Sequence, residues 1–226
     1  MIRLDHVTKT FVAKGVETAV ARNVTLVIPD RTAVALLGRN GAGKSSLLRM
    51  IGGTLRPDRG RIRCDGSISW PVGFAGGFHP DLTGLQNIRF IARIHGVDTE
   101  ALEDFVRTFA ELGQHFHLPV RHYSSGMRAR LGFAASMGID FDTYLIDEVT
   151  SVGDTAFRRR CEDTLAERMR TASAIVVSHN ADMLRRLCTA AIVLEDGRAH
   201  WHDDLATAIA QHEANMAATR RPPVPA

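Results

Sequence analysis

Apolar residues in the first third of the chain come in short runs or alternate with polar ones. "IRLDHV" (2–7), "NVTLVI" (23–28) and "TAVALLG" (32–38) therefore read as strands, with a further short strand near "SISW" (67–70). From residue 82 the period changes. In "NIRFIARIHG" and "ALEDFVRTFAELG" apolar positions recur at helical spacing, which makes residues from about 82 to 138 a helical insert. Alternation then returns: strand "TYLID", helix "TAFRRRCEDTLAERM", strand "SAIVVSH", helix "ADMLRRLC", strand "AAIVLEDG". Strands alternating with helices in this way predict a parallel sheet with crossover helices, hence an α/β fold. "DLATAIAQHEANMAA" predicts one more helix, and "TRRPPVPA" (219–226), with its three prolines, reads as a disordered tail. One folded unit over 1–218 accounts for the pattern, and no internal repeat is visible.

Within that pattern the stretch 36–50, "LLGRNGAGKSSLLRM", breaks from strand to helix through glycines. Gly38, four residues, then Gly43, Lys44 and Ser45 fit the P-loop spacing, in which backbone N–H groups wrap a phosphate chain at a helix N-terminus. The loop residues Arg39, Asn40, Gly41 and Ala42 would bare their amides to the phosphates. Lys44 would reach the terminal phosphates as a point charge, and the Ser45 hydroxyl would ligate Mg²⁺. Ser46 falls on the helix surface beside them.

A second half of such a site should end a buried strand. "TYLIDE" provides it: Asp147 stands where the strand leaves the core and can hold Mg²⁺, while Glu148 is placed to accept a proton from attacking water. In "YSSGM", Ser124, Ser125 and Gly126 offer hydroxyls and N–H groups at the start of a helix, although an ordinary cap would look the same. His179 directly follows a buried strand, where its ring could meet the γ-phosphate or water; a cap would again explain it. Asp154 is a candidate N-cap for the helix beginning at Thr155. Arg158, Arg159 and Arg160 read as a solvated helix face.

Composition narrows little. A net charge of +3 gives no reason to expect nucleic acid, and no apolar run reaches the length of a membrane helix or signal peptide. Cys64, Cys161 and Cys188 are odd in number and widely spaced, which predicts reduced, packed thiols in a cytosolic protein. His115, His117 and His122 lack the neighbours that a metal site requires.

In this order the segments resemble the ATP-binding subunit of ABC transporters over almost the whole chain. "GRNGAGKS" looks like that family's Walker A motif, "YLIDE" its Walker B with Glu148 as catalytic base, "YSSGM" its signature, "SVGD" its D-loop with Asp154, and "SHN" its switch histidine, His179. Phe11, in "KTF", sits where the family stacks an aromatic ring on adenine. The resemblance implies a P-loop NTPase core with an antiparallel β subdomain and the helical insert. It also implies ATP and Mg²⁺ as ligands, and a homodimer in which Ser124, Ser125 and Gly126 of one copy close over the ATP of the other. Tyr123, Ser125 and Met127 depart from the usual Leu-Ser-Gly-Gly-Gln signature. The family's glutamine between core and insert is missing, since Gln86 comes too late. The aromatic residues of that loop, Trp70, Phe74 and Phe78, set among glycines, would suit a docking surface for a permease, although a tight turn with core aromatics would look the same. Details of "YSSGMRARLGFAASM" and "SWPVGFAGGF" are similar to the branch that exports capsular polysaccharide and related surface glycans from the cytoplasmic face of the inner membrane through a separate permease. Teichoic acid or lipid export, or a soluble regulatory ATPase, remain alternatives on the sequence alone.

Overall fold

The computed structural model describes residues 1–13, 15–73, 75–147 and 154–219. Two sheets organise it. Strands β1 (Ile2–Ala13), β2 (Val16–Ile28) and β4 (Arg59–Cys64) form an antiparallel sheet in the order β2-β1-β4. The larger sheet comprises β3 (Ala33–Leu37), β5 (Ile68–Pro71), β6 (Thr143–Asp147), β7 (Ser173–Val177), β8 (Ala190–Glu195) and β9 (Arg198–His202). Its order is β5-β6-β7-β3-β8-β9, and only the edge pair β8 and β9 is antiparallel.

The central strands β3 and β7 are buried at all five positions, as expected for strands covered on both faces. Successive side chains then belong to different cores. Val34 and Leu36 pack with Leu47, Leu48 and Ile51 of helix α1 (Lys44–Ile51) and with the antiparallel sheet. Ala33, Ala35 and Leu37 face the opposite core, built from the remaining helices.

Three helices occupy the segment read as an insert: α2 (Gly84–His95), α3 (Thr99–Ala110) and α4 (Ser125–Met137). Thr83 and Gln86 form a reciprocal capping box at the start of α2, with 2.9 and 3.1 Å hydrogen bonds. Gln86 is thus committed to a helix terminus. Arg89 on α2 reaches the buried Glu103 on α3 with a guanidinium hydrogen bond of 3.2 Å, which ties the two helices together. Helices α5 (Thr155–Arg168), α6 (Ala181–Leu187) and α7 (Leu205–Thr219) complete the chain.

Several expectations need correction. Strand β4 was not anticipated because "RGRIRC" is polar on its exposed side and lends only Ile62 and Cys64 partly to the core. Strand β9 was hidden by its Arg and His residues. The Asp196-Gly197 pair, with φ values of 48° and 77°, is the hairpin signal that could have revealed it. Trp70 and Phe78 are half-buried and pack one side against the core, Trp70 lying 5.5 Å from Phe141 and 5.2 Å from the exposed His95 ring, centroid to centroid. Phe74 lies outside the described residues, as does the tail beyond Thr219. Arg160 is more than a solvated cation, since it donates to Glu111 at 2.6 Å and to the Phe109 carbonyl at 3.2 Å. The cysteines are free thiols, and burial pushes Cys161 and Cys188 up to about 12, far from thiolate reactivity.

Candidate nucleotide site

The loop 38–43 leaves β3 at the carboxyl edge of the parallel sheet and enters α1. That edge is where open α/β sheets place their ligands. Register brings other candidates to the same edge: Leu37 pairs with Val193, and Asp147 at the end of β6 pairs with Val177 at the end of β7, one residue before Ser178 and His179. Strand β7 lies between β6 and β3, so Asp147, His179 and the loop emerge from neighbouring strands.

Two glycines set the loop's shape. A Cβ on Gly38 would come within 2.5 Å of the Leu194 carbonyl oxygen, and one on Gly43 within 2.6 Å of the Val20 side chain. Both residues also have positive φ, at 155° and 101°. Gly43 occupies the N-cap of α1 without any side-chain cap, which leaves the first helical N–H groups for an incoming anion. Lys44 folds over the loop and donates to the carbonyls of Gly38 at 2.7 Å and Arg39 at 3.0 Å. Its ammonium is thereby held at the start of the loop formed by Gly38, Arg39, Asn40, Gly41 and Ala42. Ser45 and Ser46 follow in the first turn of α1.

Phe11 is 40% exposed on β1, opposite Thr18 of β2, with the Lys9 ammonium 5.4 Å from its ring centroid.

Ser124 caps α4, its Oγ accepting the Met127 N–H at 3.1 Å, and Ser125 and Gly126 begin the helix. The cap reading of Ser124 holds, and its exposed hydroxyl remains at a helix N-terminus. Tyr123 is 4% exposed; its hydroxyl donates to the His115 carbonyl at 2.7 Å, and burial pushes it up to about 12. A Cβ on Gly84 would meet that hydroxyl at 2.3 Å, so the first residue of α2 and the residue before the signature serine share one space. Sequence reasoning noted Tyr123 only as a departure. Asp154 caps α5 through Phe157 N–H at 2.9 Å, and this hydrogen bond, with Arg130 nearby, holds its carboxyl below the usual carboxylate range. Glu148 and the first three residues of "SVGD" lie outside the described residues.

The family model described as "ABC transporter" matches residues 21–151, more than half of the chain. The chain belongs to the ABC transporter family. It is 46% identical over 198 residues, 87% of its length and 88% of the relative's, to the polysialic acid transport ATP-binding protein KpsT of Escherichia coli. It is 42% identical to the capsule polysaccharide export ATP-binding protein CtrD of Neisseria meningitidis serogroup B, across 91% of this chain and 95% of that one. Its fold matches a dimeric ATP-binding cassette in a post-hydrolysis state bound to ADP and phosphate, with a TM-score of 0.78 at 21% identity, covering 91% of this chain and 99% of the other. ABC ATPases bind and hydrolyse ATP, and the ABC ATPase fold inferred from the sequence is the fold observed. Among the described residues no helix is long and apolar enough to cross a membrane.

Proposed function

We propose that this chain binds Mg²⁺-ATP at the loop 38–46 and, as a homodimer attached to a separate permease, powers export of capsular polysaccharide or a related surface glycan. One observation carries the ATPase half: the glycine loop that Lys44 folds onto, Asp147 and His179 leave adjacent parallel strands on a single edge. The identity to two polysaccharide transport ATP-binding proteins over most of their length supports the glycan half.

The donors present suit magnesium. Among the described residues no cluster of His, Cys, Asp and Glu could cage a metal, whereas Ser45 and Asp147 offer hard oxygen donors of the kind that share Mg²⁺ with substrate phosphates. When bound, the ion would neutralise charge on the phosphate oxygens. Lys44 and the open N-terminus of α1 bind and orient the triphosphate. Phe11 offers the ring on which adenine stacks. Glu148 takes the proton from the attacking water, and His179 orients that water or the γ-phosphate. Ser124, Ser125 and Gly126 complete the site of the opposite subunit, and Asp154 contributes to the same boundary. ATP then holds the dimer closed; loss of the γ-phosphate reopens it and moves the permease at the cytoplasmic face of the inner membrane. The nucleotide-binding unit spans 1–218, with the helical insert over about 82–138.

The experiment is a deletion in the native host, rescued with wild-type protein or with Lys44→Ala, scored for surface glycan and for export of teichoic acid or lipid. Restored glycan with wild type alone supports the proposal. Restored export of another polymer, or full rescue by Lys44→Ala, overturns it.

A further inference from the structure

Helix α7 comes from the last part of the chain, yet one face of it looks onto the phosphate loop. Leu205 and Ala208 are buried, and Ile209 and His212 follow on the same helical face. A cavity of about 150 Å³ is lined by Ile209, His212 and Glu213 of α7 together with Gly38, Lys44 and His179. The pieces needed for the γ-phosphate thus share a wall with two ionisable residues of α7.

We propose that His212 is a positioning residue of the nucleotide site, taking up a proton when a triphosphate fills the phosphate loop and thereby strengthening the hold on ATP. This rests on the ATP-binding reading above and deepens it.

The groups facing His212 make the case. From α1 the Lys44 ammonium opposes a second positive charge; from the end of β8 Glu195, and from α7 itself Glu213, favour it. His179 lines the same cavity from the loop after β7. Asn215 donates to Glu195 at 2.6 Å and fixes that carboxylate beside the helix. With the loop empty, burial first and Lys44 next hold the imidazole below its ordinary value, so it is largely neutral near pH 7. A triphosphate brings several negative charges to Lys44. They cancel the repulsion and raise the imidazole's proton affinity. Linkage makes the effect reciprocal: a proton that binds the loaded state better makes the nucleotide bind better to the protonated protein. Affinity therefore rises as pH falls through the loaded-state value and levels off below the empty-state value. The full rise is about tenfold for each unit separating them.

The test is calorimetry of ATP binding in EDTA, which prevents hydrolysis, repeated in buffers of different ionisation heat to count protons. Wild type should take up more protons per ATP near pH 6.5 than His212→Gln, and only wild type should show the extra gain in affinity on acidification. Titration of ATP itself is common to both proteins and cancels in the difference. Equal proton uptake with intact binding overturns the role of His212; no ATP binding by wild type overturns the nucleotide site instead. If His212→Gln does not fold, the ring resonances of His212 in wild type, titrated with and without ATP, decide: an upward shift supports the proposal and an unchanged value overturns it.

Discussion

Arg130, in the helix that begins at the signature serines, donates to Asp154 at 2.8 Å while its guanidinium lies 4.4 Å from the centroid of the Phe157 ring. The same Asp154 uses its other oxygen to cap α5. The two segments that the family places at the dimer boundary are therefore held to each other within one subunit.

That double use can be separated. Asp154→Asn keeps a cap but loses the ion pair, whereas Asp154→Ala loses both, so thermal unfolding should fall in the order wild type, Asn, Ala. The pH dependence has a definite sign. The folded carboxyl lies below its unfolded value, so its contribution is complete above the unfolded value and fades as pH falls through the folded one. Melting curves of wild type and Asp154→Ala should converge in acid; a constant gap down to the lowest pH would contradict this.

Lys44→Ala should weaken ATP binding by about ten- to a hundredfold, the range expected when a hydrogen bond to a charged group is lost. Fluorescent-nucleotide titration of the folded variant measures it. Unchanged affinity would remove the loop from the site.

Glu148→Gln should retain ATP and trap a closed dimer, since the amide keeps the shape of the carboxylate but cannot accept the proton from water. Size-exclusion chromatography with Mg²⁺-ATP should show a dimer with negligible phosphate release. Continued turnover would exclude Glu148 as the base.

Ser124→Arg should leave a subunit's own nucleotide binding intact and stop turnover, as a bulky cation would block closure over the partner's ATP. Mixed with Lys44→Ala, both defects fall on one composite site and the other stays whole. A mixed dimer with no hydrolysis would argue against independently active sites.

Gly84→Ala places a methyl group where the Tyr123 hydroxyl lies. It should be destabilising alone, and Tyr123→Phe, which removes that oxygen, should restore part of the loss. A double-mutant cycle by urea denaturation should give a coupling of about 0.5–3 kcal/mol, the range for residues in contact. Strict additivity would show that the two residues do not share the space.

The sequence by itself determined the glycine turn between β3 and α1, Asp147 at a strand end, the serine cap of α4 and, apart from β9, the order of strands and helices after residue 140. These are local facts. The glycine spacing, the buried apolar runs and the capping residues each constrain backbone a few residues away and need no distant partner. Strand β9 could have been read from Asp196-Gly197 in the same way. Only tertiary structure decided the rest, because it depends on residues far apart in the chain meeting across a sheet or between helices. The basic strand β4 forms because β1 offers it an edge, Trp70 is half-buried because Phe141 meets it, and Tyr123 fits because the first residue of α2 has no side chain. His212 shares a cavity with Lys44 only because α7 returns to the strands that carry the loop. No local pattern records a proximity created by chain reversal, and that proximity is what gives a histidine near the end of the chain a part in the nucleotide site.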